Sequence, residues 1–168
     1  MASGLGGYTY QISLSHTSAG SSGTLVTLTA TDASGNTSTA TATVTVEDNI
    51  DPVAICKNIT VQLDANGNAS IVASDIDNGS NDACGIASLD ASQTNFNCSH
   101  VGTNTVVLTV TDNNGNVSTC NSTVTVEDNV DPVALCKNVT VQLDASGQAT
   151  ISGSDLDNGS NDACGIAS

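Results

Sequence analysis

Residues 49–88 read NIDPVAICKNITVQLDANGNASIVASDIDNGSNDACGIAS, and residues 129–168 read NVDPVALCKNVTVQLDASGQATISGSDLDNGSNDACGIAS. The two stretches agree at 31 of 40 positions without a gap, at an offset of 80. The changes are mild, for example Ile50 to Val130, Ile55 to Leu135 and Asn68 to Gln148. A second pair at the same offset joins TATDASGNTSTATATVTVEDN at 29–49 to TVTDNNGNVSTCNSTVTVEDN at 109–129. A period of 80 is too long for a solenoid repeat and suits a small β-sandwich domain. The chain therefore reads as the back half of a preceding repeat (1–49), a complete repeat (50–129) and the front half of a following one (130–168).

Half a hydrophobic core is not expected to be stable alone. Two arrangements complete the halves. The neighbouring repeats lie in a much longer chain, which is the arrangement favoured here, or residues 130–168 of one copy are completed by residues 1–49 of the next, head to tail.

Within each period the pattern is almost entirely β. Val26, Leu28 and Ala30 alternate with Thr27, Thr29 and Thr31, and Ala40, Ala42, Val44 and Val46 alternate with threonines. In the complete unit Val106, Leu108 and Val110 face one way, as do Cys120, Ser122, Val124 and Val126, and Ile59, Val61 and Leu63 form another inward set. A period of two predicts strands with one wet face. Ile71 keeps its bulk as Ile151 while Val72 becomes Ser152, so Ile71 is the inward member of that pair. The loops Asp32–Asn36, Asp112–Asn116 and Asp64–Gly67 carry the glycine that a tight hairpin needs for a positive φ. No helix longer than a turn is expected. Seven short strands in two packed sheets follow, an all-β chain of tandem immunoglobulin-like β-sandwich domains of about 80 residues.

Composition narrows the function. Seventeen acidic residues stand against two lysines, for a net charge of −15, and Thr, Ser and Asn supply 61 of the 168 residues. Nucleic-acid backbones require Lys and Arg, so no nucleic-acid partner is expected. No run approaches the 18 apolar residues of a membrane span, so no membrane insertion is expected. Residues 1–20 lack a basic region followed by an apolar run, so no signal peptide is read there. No set of nucleophile, base and acid is visible, and no catalytic residue is assigned. The aromatics are Tyr8, Tyr10 and Phe96. His16 and His100 read as surface residues.

The six cysteines are Cys56, Cys84, Cys98, Cys120, Cys136 and Cys164. In the preceding half unit the counterparts of Cys98 and Cys120 are Ser18 and Ala40, absent together. That predicts Cys98–Cys120, and with it Cys56–Cys84 and Cys136–Cys164. A thiolate metal site would need C-x-x-C spacing, which is missing. Disulfides place the chain in an oxidising compartment, secreted or at a cell surface.

The acids cluster. One group lies at each unit boundary: Glu47, Asp48, Asn49 and Asp51, then Glu127, Asp128, Asn129 and Asp131. The other lies inside the unit: Asp75, Asp77 and Asp82, then Asp155, Asp157 and Asp162. Hard cations take six to eight oxygens in glycine-containing loops, so both groups are candidate Ca2+ ligands. Asp32 and Asp112 are candidate contributors if their loops reach the junction. A bound Ca2+ at the boundary would fix the angle between successive domains. The alternative is that these acids only solvate linkers and turns.

The stretches TVTVEDNIDPVAICKNITVQLDANGNASI and NGSNDACGIAS, with GTNTVVLTVTDNNGNVSTC, resemble hyalin-repeat (HYR-like) modules of immunoglobulin fold. These occur in tandem in very large surface adhesins of flavobacteria and their relatives, including the gliding adhesin. The resemblance covers about residues 24–168. It implies an extended extracellular stalk or secreted filament of a bacterial surface protein, with neighbouring repeats or head-to-tail copies as partners. Like cadherins, the chain places acidic residues, here Asp48, Asn49 and Asp51, at the domain joint. A structural spacer is thus the expected function. The alternative is a carbohydrate- or protein-binding module that grips a surface glycan or host surface directly.

Overall fold

The computed structural model describes residues 20–32 and 34–167. Tyr8, Tyr10, His16 and Ser18 lie outside the described residues. The chain is mostly β. Strands β1 (Gly20–Thr31) and β2 (Thr37–Val46) form a hairpin by themselves. Then come β3 (Ile59–Gln62), β4 (Asn68–Ser70), the single-turn helix α1 (Ala73–Ile76), β5 (Ile86–Ala91) and β6 (Asn95–Asn97). A 3-10 turn at Cys98–His100 leads to the long hairpin of β7 (Gly102–Asp112) and β8 (Val117–Glu127). The last element is a second single-turn helix, α2 (Gly153–Leu156).

Between residues 50 and 129, β3, β8, β7 and β5 form a four-stranded sheet in that order, with β3 parallel to β8 and the other pairs antiparallel. β4 and β6 form a two-stranded ladder beside it. The unit thus has six strands rather than seven. The segment before β3 makes single bridges instead, Val53 to Asn81 and Cys56 to Asp77. The alternating residues meet as expected. Val106, Leu108, Val110, Ser122, Val124 and Val126 are buried, with Leu63, Ile71, Ile76 and Phe96 packed against them. Each of these aliphatic side chains contributes about 1.5–3 kcal/mol when fully withdrawn from water. Ile71 points inward and Val72 outward. His100 is half-buried rather than a free surface residue. Its Nδ1 accepts the Asn97 amide at 3.1 Å, and its ring stands edge-on to Phe96.

Four loops share one construction. Asp32, Asp64, Asp112 and Asp144 each accept two backbone amides on Oδ1, from the residues two and four positions on, at 2.7–2.9 Å. The fourth residue of each is a glycine at φ between +73° and +93°. The Asp side chain thus satisfies amides that the turn itself leaves unpaired.

Front-half contacts recur at the 80-residue offset. Val53 N donates to Asn81 O and Val133 N to Asn161 O, each at 2.8 Å; Ile55 N donates to Ser80 Oγ and Leu135 N to Ser160 Oγ at 2.9 and 2.8 Å. Yet Val139–Gln142, the counterpart of β3, is not a strand. β3 exists because β8 pairs with it, and residues 130–167 have no such neighbour. Local β propensity is the same in both places, so pairing decides.

The disulfides differ from all three expected pairs. Cys56 is bonded to Cys120 and Cys98 to Cys164, at sequence separations of 64 and 66, and Cys84 and Cys136 are free. Cys56–Cys84, Cys98–Cys120 and Cys136–Cys164 are therefore corrected. The reason is where the strands carry the chain. Cys56 lies just before β3, which runs beside β8 and so beside Cys120. Cys84 lies in a loop held by the β7–β8 turn. Cys98 lies next to Gly67, where the loop carrying Ala163 and Cys164 also packs. Ser18 and Ala40 do not mark one missing bond. They stand at the positions of two different bonds, one within a unit and one between successive units.

Candidate junction site

The segment after β2 enters the complete unit through Asp48–Pro52, and the β7–β8 loop holds it there. Asn116 Nδ2 donates to the backbone oxygens of Asp48 and Ile50 at 3.1 and 3.2 Å, and to Asp112 Oδ2 at 2.8 Å. Asn113 Nδ2 donates to Cys84 O at 2.8 Å, and Asn113 N to Gly85 O at 3.1 Å. Gly85 has φ +94°, and a Cβ there would stand 2.7 Å from Asn113 Nδ2, so only glycine lets the loop approach this closely. The Asp112 loop therefore reaches the junction, as expected, but through its asparagines. The Asp112 carboxylate is buried and spent on Asn114 N, Asn116 N and the Asn116 amide. Burial works against its ionised form, but the Asn116 side chain and the loop amides outweigh that and hold its pKa below the usual carboxylate value. Asp32, its counterpart, is exposed and bonds only within its own loop.

At this junction carboxylate oxygens of Asp48 and Asp82 and the Cys84 sulfur lie within 4.8 Å of one another. Asp128, Asp162 and Cys164 repeat the group 80 residues on. The geometry is set locally: Asp82 Oδ1 accepts Cys84 N, and Asp162 Oδ1 accepts Cys164 N, both at 2.7 Å. Asp48 Oδ1 accepts Ile50 N and Asp128 Oδ1 accepts Val130 N. Asp48 Oδ2 and Asp162 Oδ2 are shut off from water and make no hydrogen bond. The Cys84 thiol faces the Asp48 carboxylate, which pushes its pKa up; burial and the charges of Asp82 and Asp112 add to that. Cys84 is thus a neutral thiol at pH 7, and Cys164 is a disulfide sulfur. Neither supplies a thiolate, so whatever both junctions hold in common must be held by oxygen.

The other predicted ligands go elsewhere. Asp75 Oδ2 accepts Val72 N and Asp155 Oδ2 accepts Ser152 N, at 2.8 and 2.7 Å, closing the first turns of α1 and α2. Asp77 and Asp157 accept Ser80 N with Gly79 N and Ser160 N with Gly159 N. None of these four joins Asp82 or Asp162. Glu127 and Asn129 are drawn to Gln62 at the end of β3: Gln62 Nε2 donates to Glu127 Oε2, and Asn129 Nδ2 to Gln62 Oε1, both at 2.6 Å. Glu47, Asn49, Asp51 and Asp131 remain exposed on the linkers.

No family model matches the chain, and no curated protein matches it. The sequence reading missed Gly67, Asn113 and Asn116. A Cβ on Gly67 would stand 2.6 Å from Cys98 Sγ and 3.3 Å from Ala163 Cβ, so this glycine admits the inter-unit bridge. Asn116 recurs as Asn36 and Gly67 as Gly147, so the offset carried both signals. Asn113 has no such recurrence.

Proposed function

We propose that the chain is a stretch of structural spacer, built of tandem immunoglobulin-like β-sandwich repeats of about 80 residues, in an extended extracellular adhesin or filament. The observation that carries the reading is Cys98–Cys164, which ties the complete unit covalently to the front half of the next period. A spacer needs its units fixed to one another, and such a bond does that at every joint where it recurs. The HYR-like resemblance and the two disulfides support an extracellular, bacterial-surface setting. Among the described residues no helix is long and apolar enough to cross a membrane.

Ca2+ at the junctions belongs to this proposal in reduced form. Asp48 with Asp82, and Asp128 with Asp162, fit a hard cation: two carboxylates converge, and each pair has an oxygen that is buried without a partner. Asp75, Asp77, Asp155 and Asp157 do not fit, because local amides occupy them. Calorimetric titration of Ca2+ into the chain should give binding that Asp82→Asn with Asp162→Asn abolishes. Binding unchanged in that variant sinks the assignment.

The spacer reading is tested by adding a copy of residues 50–129. Its strands of 11 residues set the scale, so end-to-end length should grow by about 35–40 Å at ~3.3 Å per residue. Retention on immobilised glycans or proteins should stay at background. Specific retention of the chain on such a surface would favour the binding module instead.

A further inference from the structure

Residues 133–166 present the apolar face that the complete unit buries. Leu63, Ile71 and Ile76 are 4%, 5% and 0% exposed, whereas Leu143, Ile151 and Leu156 are 69%, 49% and 36% exposed. Two open grooves of about 460 Å³ each run along this face, one beside Leu135, Cys136 and Leu156, the other beside Val139, Val141 and Ile151. In the complete unit the covering piece is the β7–β8 hairpin, and the chain carries a second hairpin of that kind. β1–β2 pairs Val26 with Ala42, Leu28 with Ala40 and Ala30 with Ser38; β7–β8 pairs Val106 with Ser122, Leu108 with Cys120 and Val110 with Ser118. The registers are identical at the 80-residue offset. Val26, Leu28, Val44 and Val46 reproduce four of the six buried hairpin residues, and Leu28 and Val46 are exposed.

We propose that the face of residues 133–166 binds the β1–β2 hairpin of a second copy of this chain, in the register that β7–β8 uses inside the complete unit. The proposal rests on the repeat reading above and names the partner that reading leaves open. β8 pairs Val124 and Val126 with Ile59 and Val61. The docked β2 would pair Val44 and Val46 with Val139 and Val141, turning 139–142 into the strand it is not by itself. Cys98–Cys164 already holds one end of the receiving face in place, which lowers the ordering cost of docking. The two hairpins differ tellingly at one position. Cys56 meets Cys120 with Cα atoms 5.8 Å apart, and the same geometry sets the free Cys136 against Ala40 of the second copy.

That contact gives the test. The full chain carrying Ala40→Cys, with Cys84→Ser to remove the other free thiol, is oxidised at rising concentration in about 0.15 M salt, where repulsion between acidic copies is screened beyond ~8 Å. Non-reducing electrophoresis should show the monomer band lost to a ladder of two copies and more, and adding Cys136→Ser should restore the monomer. Sedimentation of the unaltered chain should show mass rising with concentration. A single-copy band with Cys136 still open to alkylation overturns the proposal, as does a 40–136 bond within one chain. The Cys56–Cys120 bond is mapped in the same sample. If it is present without a ladder, docking alone fails; if it is absent, the template and the repeat reading fail together.

Discussion

Replacing both Cys56 and Cys120 by alanine, with Cys98–Cys164 left intact, isolates the bond that closes the complete unit. The bond spans 64 residues. In the chain-entropy treatment a loop of that size restrains the unfolded chain by about 4 kcal/mol. For a cooperative unit of 60–100 residues, 1 kcal/mol moves Tm by roughly 4–8 °C, so a fall of about 15–30 °C is expected. Far-UV circular dichroism of thermal unfolding reads it. The connectivity is read by cleavage before aspartate, which places the six cysteines on six separate peptides: 51–63, 82–89, 90–111, 112–127, 131–143 and 162–168. Peptide 51–63 should be joined to 112–127, and 90–111 to 162–168. Recovery of 51–63 joined to 82–89, or a double variant that melts within a few degrees of the parent, would refute the reasoning.

Further outcomes follow from positions that occur twice. Ile76→Ala removes a fully buried side chain and should cost about 2–5 kcal/mol in urea unfolding, whereas Leu156→Ala, on the uncovered face, should change the single chain by less than about 0.5 kcal/mol. Gly67→Ala should cost about 1–3 kcal/mol, since φ is +74° and Cys98 Sγ blocks the Cβ; Gly147→Ala, at φ +73° with open space around it, should cost only the conformational part, about 1 kcal/mol. Amides hold the pKa values of Asp32, Asp64 and Asp112 below the ordinary 3.8, except that at Asp112 they must first overcome burial. A lowered folded pKa gives stability that is complete above about pH 4 and lost as pH falls through the folded values. Thermal melts below pH 4 should show that loss, and Asp64→Asn, which keeps an acceptor oxygen but does not titrate, should shrink it.

The strand faces were legible because a period of two needs only local sequence. Val106, Leu108 and Val110 bury as their alternation requires, and Ile71 turns inward as its retention at Ile151 implies. The four Asp loops were legible because their glycines recur. Cysteine pairing was not, because proximity along the chain says little about proximity across a sheet. Cys56 finds Cys120 only after β3 has joined β8, and Cys98 finds Cys164 only after the next period has folded back on the Gly67 loop. Ligand grouping failed for a related reason: Asp75 and Asp77 have the right chemistry, but nearby amides claim them first. Asp48 and Asp82 come together only through the Asn113 and Asn116 contacts of a loop 30 residues further on.

The two disulfides also shorten the covalent route along the string. From Cys56 to Cys164 the backbone runs 108 residues, about 370 Å when drawn out at ~3.4 Å each. The route through sulfur goes from Cys56 to Cys120, back along 22 residues to Cys98, and across to Cys164, only about 75 Å. A tether under load could lose its folded packing over this span and still lengthen by a small part of its contour. Reduction would release the remainder as slack.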